Sequence, residues 1–87
     1  MIPQWHRTES GAYVGTTDAE GCAVRIVTGY SIETDNYPVH IYLTKGTETA
    51  VVADGKMRHP SEAQAMEWGT TKAEAAITSP LTRWRPT

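Results

Sequence analysis

Histidine and cysteine have the most versatile side-chain chemistry in this chain, because both can bind metals and both can take part in acid–base or nucleophilic catalysis. The chain holds three histidines, His6, His40 and His59, and a single cysteine, Cys22. No two of them lie at metal-ligand spacing, whereas a zinc site requires three or four such groups to converge. The sequence therefore predicts no metal site, and each histidine is interpreted as an ordinary surface or half-buried side chain.

Nucleophilic catalysis is not indicated either. Cys22 follows Gly21 at the start of a β-prone run, without the helix N-terminus or basic pocket that activates a thiol, and is interpreted as a small buried apolar side chain. No serine lies in a strained turn between glycines, and the glycines form neither a phosphate loop nor a dinucleotide fingerprint. Domains this small rarely enclose a pocket that desolvates a substrate. We expect no catalytic residue, no cofactor and no enzymatic activity.

Aromatic and cationic side chains are more informative, because Trp, Tyr and Arg dominate the energetics of many protein interfaces. If the helix that carries Trp68 continues through Gly69, Trp68 lies on its flank or faces water; if the helix breaks there, Trp68 turns onto the core. Trp84 lies between Arg83 and Arg85. This segment either binds an acidic groove or nucleic-acid bases, or it folds back with Trp84 covering the core.

The spacing of apolar residues, which predicts the elements that position these side chains, changes halfway along the chain from that of strands to that of a helix. Period-two alternation is clearest at Tyr37, Val39, Ile41 and Leu43, which is typical of a half-buried strand. Turn-forming residues separate the β-prone runs. The predicted strands cover 12–17, 22–33, 37–44 and 48–53. Short connections between them favour an antiparallel meander.

A single helix over 61–78 is predicted for the second half, capped by the Ser61 hydroxyl and stopped by Pro80. Its apolar stripe is expected at Ala63, Met66, Thr70, Ala73 and Ile77. Gly69 lies beside that stripe, where a missing side chain would allow close approach to the strands. The alternative is that Gly69 ends one helix and Thr71 caps a second.

The expected fold is a single α+β domain, residues 1–87: a four-stranded antiparallel meander, one C-terminal helix on one face and a short tail, 79–87. One helix cannot cover both faces of such a sheet. The face predicted to stay open carries Arg25, Val27, His40, Tyr42, Thr44, Thr49 and Val51. Ile2 and Trp5, or a second copy of the chain, could cover it.

The helical segment PSEAQAMEWGTTKAEAAI at 60–77 resembles those of small proteins of bacteriophages and mobile elements. Within it, AMEWG at 65–69 resembles a stretch of a small type I-F anti-CRISPR protein. The overlap covers about a fifth of the chain, and the strand half shows no such likeness. The resemblance implies a compact inhibitor that binds a host protein complex stoichiometrically, and it transfers no functional residue.

A non-enzymatic inhibitor that blocks a host protein or nucleoprotein complex is the leading functional hypothesis. A net charge of −2 argues against direct nucleic-acid binding, and no stretch approaches the roughly 20 apolar residues of a membrane span, so a cytoplasmic protein is expected. The predicted contact residues are Trp68, Lys72, Tyr42, His40, Arg83 and Trp84. The alternatives are a homodimer through the open sheet face and a nucleic-acid module using Lys56, Arg58, Arg83, Trp84 and Arg85.

Overall fold

Apolar residues alternate with polar ones along the two central strands of the sheet, and their buried side chains form the core. The computed structural model describes residues 1–86; Thr87, the last residue of the predicted tail, lies outside them. In chain order the elements are β1 (Gln4–Arg7), β2 (Tyr13–Ala19), β3 (Cys22–Thr28), β4 (Tyr37–Lys45), β5 (Glu48–His59), α1 (Glu62–Thr78) and β6 (Arg85–Pro86).

The strands form one open antiparallel sheet in the order β1-β2-β3-β4-β5-β6, with α1 on one face. This confirms the α+β class, the antiparallel meander and the single helix. Residues 1–86 hold six strands, however, where four were predicted. The two missed strands, β1 and β6, lie at the edges. An edge strand needs a partner on one side only. The four residues of β1 and the two residues of β6 are therefore too few to show an alternating pattern in the sequence.

Trp5 holds β1 in place. Its indole lies flat on Gly15, where an added Cβ would be 2.9 Å from the Trp5 atoms Cδ2, Cε2 and Cε3. The Trp5 ring also meets the Tyr13 ring edge-on, with 5.6 Å between centroids. At the end of β1, Arg7 Nη2 donates to Glu62 Oε1 at 2.9 Å, and this hydrogen bond raises the pKa of the Arg7 guanidinium. β1 is therefore joined both to the sheet and to the helix.

Replacing Gly15 by alanine is expected to lower the free energy of unfolding by about 1 kcal/mol, because the new Cβ displaces the indole of Trp5. Urea denaturation measures the loss, and faster amide exchange in Gln4–Arg7 locates it. In a Trp5→Ala background the same change becomes neutral or stabilising, since alanine restricts the unfolded chain more than glycine. An equal loss in both backgrounds would contradict this account of Gly15.

Two strand boundaries differ from the prediction. β3 ends at Thr28, not at residue 33, because the chain turns over residues 29–36, where Asp35 adopts a positive φ of 54°. β5 continues to His59, although Asp54-Gly55 has the composition of a turn and predicted an end at residue 53. Gly55, with φ +91°, absorbs an irregularity in the register between β4 and β5. The turn signal there marks a bulge within a strand.

The helix begins as predicted, with Ser61 Oγ accepting the Gln64 N–H at 3.2 Å, and it continues through Gly69 without a break. Its buried face was predicted only in part: Ala73 is buried and Gly69 allows the close approach expected of it, but the other four residues of the predicted stripe are not buried. The buried residues are Ala65, Gly69, Ala73 and Ala76, whereas Ala63 is exposed and Met66, Thr70 and Ile77 are only half-buried. Small residues line the contact because the helix packs very closely on the sheet. A Cβ at Gly69 would lie 2.7 Å from Ile26 Cγ2 and 3.3 Å from Val39 Cγ1.

The core lies between α1 and the three strands β3, β4 and β5. Its sheet side consists of Val24, Ile26, Val39, Ile41, Leu43 and Ala50. Burial of such side chains contributes most of the stability of a domain this size, at about 25 cal/mol per Å² of apolar surface. Within residues 1–86 no helix combines the length and the apolar character that crossing a membrane requires.

Candidate binding surface

The sheet face opposite the helix is uncovered. Antiparallel pairing sets Arg25 opposite Tyr42 and Val27 opposite His40, so these four side chains lie on the same side of β3 and β4. β5 extends this surface, which we call the open face, through Val51 and Thr49. The residues predicted to stay open are therefore brought together: Arg25, Val27, His40, Tyr42, Thr44, Thr49 and Val51.

The prediction that Ile2 and Trp5 could cover the open face is wrong for Trp5, and Ile2 lies only at the rim of that face. Ile2 is 87% exposed, and Trp5 packs against the helix-side core. Register explains the difference, because Trp5 is paired with Gly15 and Gly15 with Ile26, which places all three on the core side of the sheet. The open face therefore has no cover from the N-terminal segment.

His40 and Tyr42 form the aromatic centre of the open face. Their rings are nearly parallel, 10° apart, with 6.4 Å between centroids. The imidazole of His40 also rests on the backbone of Gly55, where a Cβ would lie 2.7 Å from Cε1 and 2.8 Å from Nε2. The bulge in β5 thus supports the ring on its neighbouring strand, and both aromatic side chains are half-buried. Such support fixes their orientation before any partner binds.

Three shallow depressions, which we call together the groove of the open face, lie along this face and share lining residues. The first, about 610 Å³, is lined by Ile2, Arg25 and Tyr42 among others, and the second, about 260 Å³, also contains Arg25 and Tyr42. The second shares His40 with a third of about 590 Å³, which reaches the exposed side chain of Ile32 in the loop after β3. Together the three depressions reach from Gln4 on β1 to the loop after β3.

Arg25 is the cation at the middle of this groove. It is exposed, and within residues 1–86 it has no hydrogen-bond or ion-pair partner. Asp18 lines the same depression without forming an ion pair with Arg25, and Asp54 on β5 is paired with Lys56 at 3.5 Å. The open face thus combines aromatic rings, small apolar side chains and one unpaired guanidinium. These residue types are enriched at the centres of protein interfaces.

The structure divides the six predicted contact residues into three groups. His40 and Tyr42 are neighbours on the open face. Lys72 and Arg83 converge elsewhere, on a depression of about 390 Å³ between the end of α1, β5 and the tail. Sequence reasoning missed Leu81, which lines the same depression and is 84% exposed. A large apolar residue beside the helix-breaking Pro80 was the available signal.

Trp68 and Trp84, the third group, are half-buried and pack against the core. Trp68 lies on the flank of the continuous helix, and its indole is 5.2 Å from the His59 ring. Trp84 covers the opposite end of the core, next to the Arg85–Pro86 strand. Both rings contribute to packing, and neither stands free as a base-stacking platform.

Lys56 and Arg58, which the nucleic-acid alternative uses, belong to β5 together with Met57 and His59. Lys56 pairs with Asp54, whereas Arg58 is exposed opposite Pro38. His59 pairs with Tyr37 at the end of the ladder, and its Nε2 atom is buried without a hydrogen-bond partner among the described residues. The four residues therefore form no common cationic surface with Arg83 and Arg85.

Groups suited to metal binding stay dispersed. Across residues 1–86, no three His, Cys, Asp or Glu side chains lie close enough together to hold a metal ion. Cys22 is buried, as its interpretation as a small apolar side chain predicted. Known proteins give no further indication, since no protein-family model, curated protein or solved structure matches this chain.

Proposed function

We propose that this chain is a non-catalytic binding domain that attaches to a protein partner through the open face of its sheet. A single observation carries the proposal: the helix covers one side of the sheet, and the other side presents His40, Tyr42 and Arg25 along adjoining shallow depressions. Removing the apolar and aromatic side chains of a sheet face from water stabilises a complex with a partner. Binding there requires no rearrangement of the core.

Rigidity of the aromatic pair supports this use. His40 is held between Tyr42 and the backbone of Gly55, so little side-chain freedom is lost on association. Arg25, next to Tyr42 across the β3–β4 ladder, offers a donor fork suited to a carboxylate of the partner. The His40–Tyr42 pair thus supplies an apolar anchor for the partner, and Arg25 supplies a polar group that orients the partner.

An inhibitor of the anti-CRISPR type is the narrower form of this proposal. The residues that carry the resemblance, 65–69, lie on α1, where Ala65 and Gly69 are buried and are explained by packing on the sheet. They are therefore not the surface through which we expect inhibition. The direct test of this narrower form is whether the protein prevents a type I-F surveillance complex from binding its target DNA.

Replacing Tyr42 by alanine is expected to weaken partner binding by about 2 kcal/mol, a loss of about 30-fold, as for a central interface aromatic. The partner is first isolated from the native host, and its affinity for each variant is then measured calorimetrically. Arg25→Ala, at an exposed position, should also weaken binding, whereas Thr71→Ala on the outer surface of the helix should not.

The proposal fails if Tyr42→Ala and Arg25→Ala both change the affinity by less than about 0.5 kcal/mol in a variant that unfolds like the parent. Light scattering across a dilution series distinguishes a further outcome, a homodimer that buries the open face on itself. Binding to single-stranded oligonucleotides that falls steeply with salt would point instead to nucleic acid.

A further inference from the structure

The tail after α1 is folded back on the helix by four hydrogen bonds. Ser79 N–H donates to the Ala76 carbonyl at 3.3 Å, and Thr82 Oγ1 donates to the same carbonyl at 2.6 Å. Thr82 N–H donates to the Ser79 carbonyl, and Leu81 N–H to Ser79 Oγ at 3.1 Å. This turn directs the chain to β5, where Arg85 pairs with Thr49. The turn therefore fixes Leu81 in its exposed position.

The depression beside this turn, which we call the C-terminal groove, has an aliphatic floor. Val51, 60% exposed, and Leu81, 84% exposed, line it together with Ala75 and Ala76 at the end of the helix. The small alanine side chains leave room above the helix, and the volume of about 390 Å³ admits a few side chains of a bound segment. Exposed apolar residues that share one concave site are a typical feature of binding surfaces.

The two charges that line the C-terminal groove are positive, and Asp54 lies in an adjoining depression that shares Arg83. Lys72 and Arg83 line it, no Asp or Glu does, and neither cation has an ion-pair partner among residues 1–86. The carboxyl end of a helix would by itself repel an anion. Here the Ala76 carbonyl accepts two hydrogen bonds from the tail, which reduces that repulsion. In a chain with a net charge of −2, this is a local cationic site.

We infer that the C-terminal groove binds an extended protein segment in which apolar side chains alternate with carboxylates. The apolar side chains contact Val51 and Leu81, and the carboxylates pair with Lys72 and Arg83. A protein segment fits better than single-stranded nucleic acid, because bases stack on aromatic rings and the lining of this groove is aliphatic. Val51 belongs to both surfaces, but His40, Tyr42 and Arg25 do not line this groove. Variants of Lys72 and Arg83 therefore test it apart from the function proposed for the open face.

NMR titration of the full ¹⁵N-labelled chain tests the inference. The probe is a capped decapeptide in which leucine alternates with aspartate, and the control peptide carries lysine in place of aspartate. We expect saturable shifts at the amides of Val51, Ala75 and Leu81, with at least tenfold weaker binding of the lysine peptide. The double variant Lys72→Glu, Arg83→Glu should bind the acidic peptide at least tenfold more weakly.

A matched control has the same change in charge at a distance from the groove. Lys45→Glu, Arg58→Glu replaces two exposed cations and should retain binding of the acidic peptide within twofold. Absence of saturable shifts, equal binding of both peptides, or shifts centred on Tyr42 would overturn the inference. So would an oligothymidylate that shifts the groove amides at lower concentration than the acidic peptide.

Discussion

Gly69→Ala should destabilise the protein by about 1 kcal/mol, although alanine is the better helix former. Helix propensity alone would favour alanine by about 1 kcal/mol. The added methyl group, however, would lie 2.7 Å from Ile26 Cγ2 and 3.3 Å from Val39 Cγ1. Ile26 is β-branched and fully buried, so its methyl group cannot rotate away, and overpacking of this kind costs about 1–3 kcal/mol. Overpacking therefore outweighs propensity, and urea denaturation measures the net effect.

Two further variants separate the competing effects at Gly69. Ala75→Gly, at an exposed position of the same helix, reports propensity alone and should cost about 1 kcal/mol. Ile26→Leu removes the branched methyl group at modest cost. In that background Gly69→Ala should lose most of its penalty. A penalty that stays unchanged would mean that the helix does not pack on Ile26 through this contact.

Gly55→Ala is expected to be destabilising by about 2 kcal/mol and also to disturb the open face. Gly55 has φ +91°, a conformation that costs an L-residue roughly 1–2 kcal/mol. Its new Cβ would also lie within 2.8 Å of two atoms of the His40 ring. The imidazole must then move away from its position beside Tyr42. Denaturation measures the stability, and NMR chemical shifts of the His40 ring report its displacement.

Gly11 provides a matched control for Gly55. Its φ of +88° is almost the same, but nothing lies within 4 Å of the Cβ that alanine would add. Gly11→Ala should therefore show the backbone cost alone and leave the His40 resonances in place. If both variants lose the same stability and neither shifts His40, the contact between Gly55 and the imidazole is not significant.

The fold class could be predicted from the sequence because apolar residues alternate with a clear period in β3 and β4. The edge strands could not be predicted from it. β1 is held by individual contacts, such as those of Trp5 with Gly15 and of Arg7 with Glu62, and such contacts have no period. The buried face of the helix was predicted correctly only at Ala73 and at the close approach of Gly69. Its closest approach to the sheet is made by glycine and alanine, which carry little hydrophobic weight, while larger residues such as Met66 flank the contact.

Part of the candidate surface could be predicted. The position of His40 and Tyr42 on the same face follows from the strand pattern, because residues two apart along a strand share a face. The proximity of Lys72 and Arg83 could not be predicted, since it depends on the turn at Ser79 that brings the tail back across the helix. These hydrogen bonds depend on the backbone conformation after the helix, which the residue types alone do not specify.

Strand order in this sheet equals chain order, and that has a consequence for how the chain folds. Each strand pairs with the strand immediately before it, so most loops that must close are short and their entropic cost is small. The tightest are the hairpins at Glu20-Gly21 and at Gly46, where positive φ values preform the turn. Low contact order of this kind favours fast folding, with each hairpin serving as a template for the next and few opportunities for mispaired intermediates.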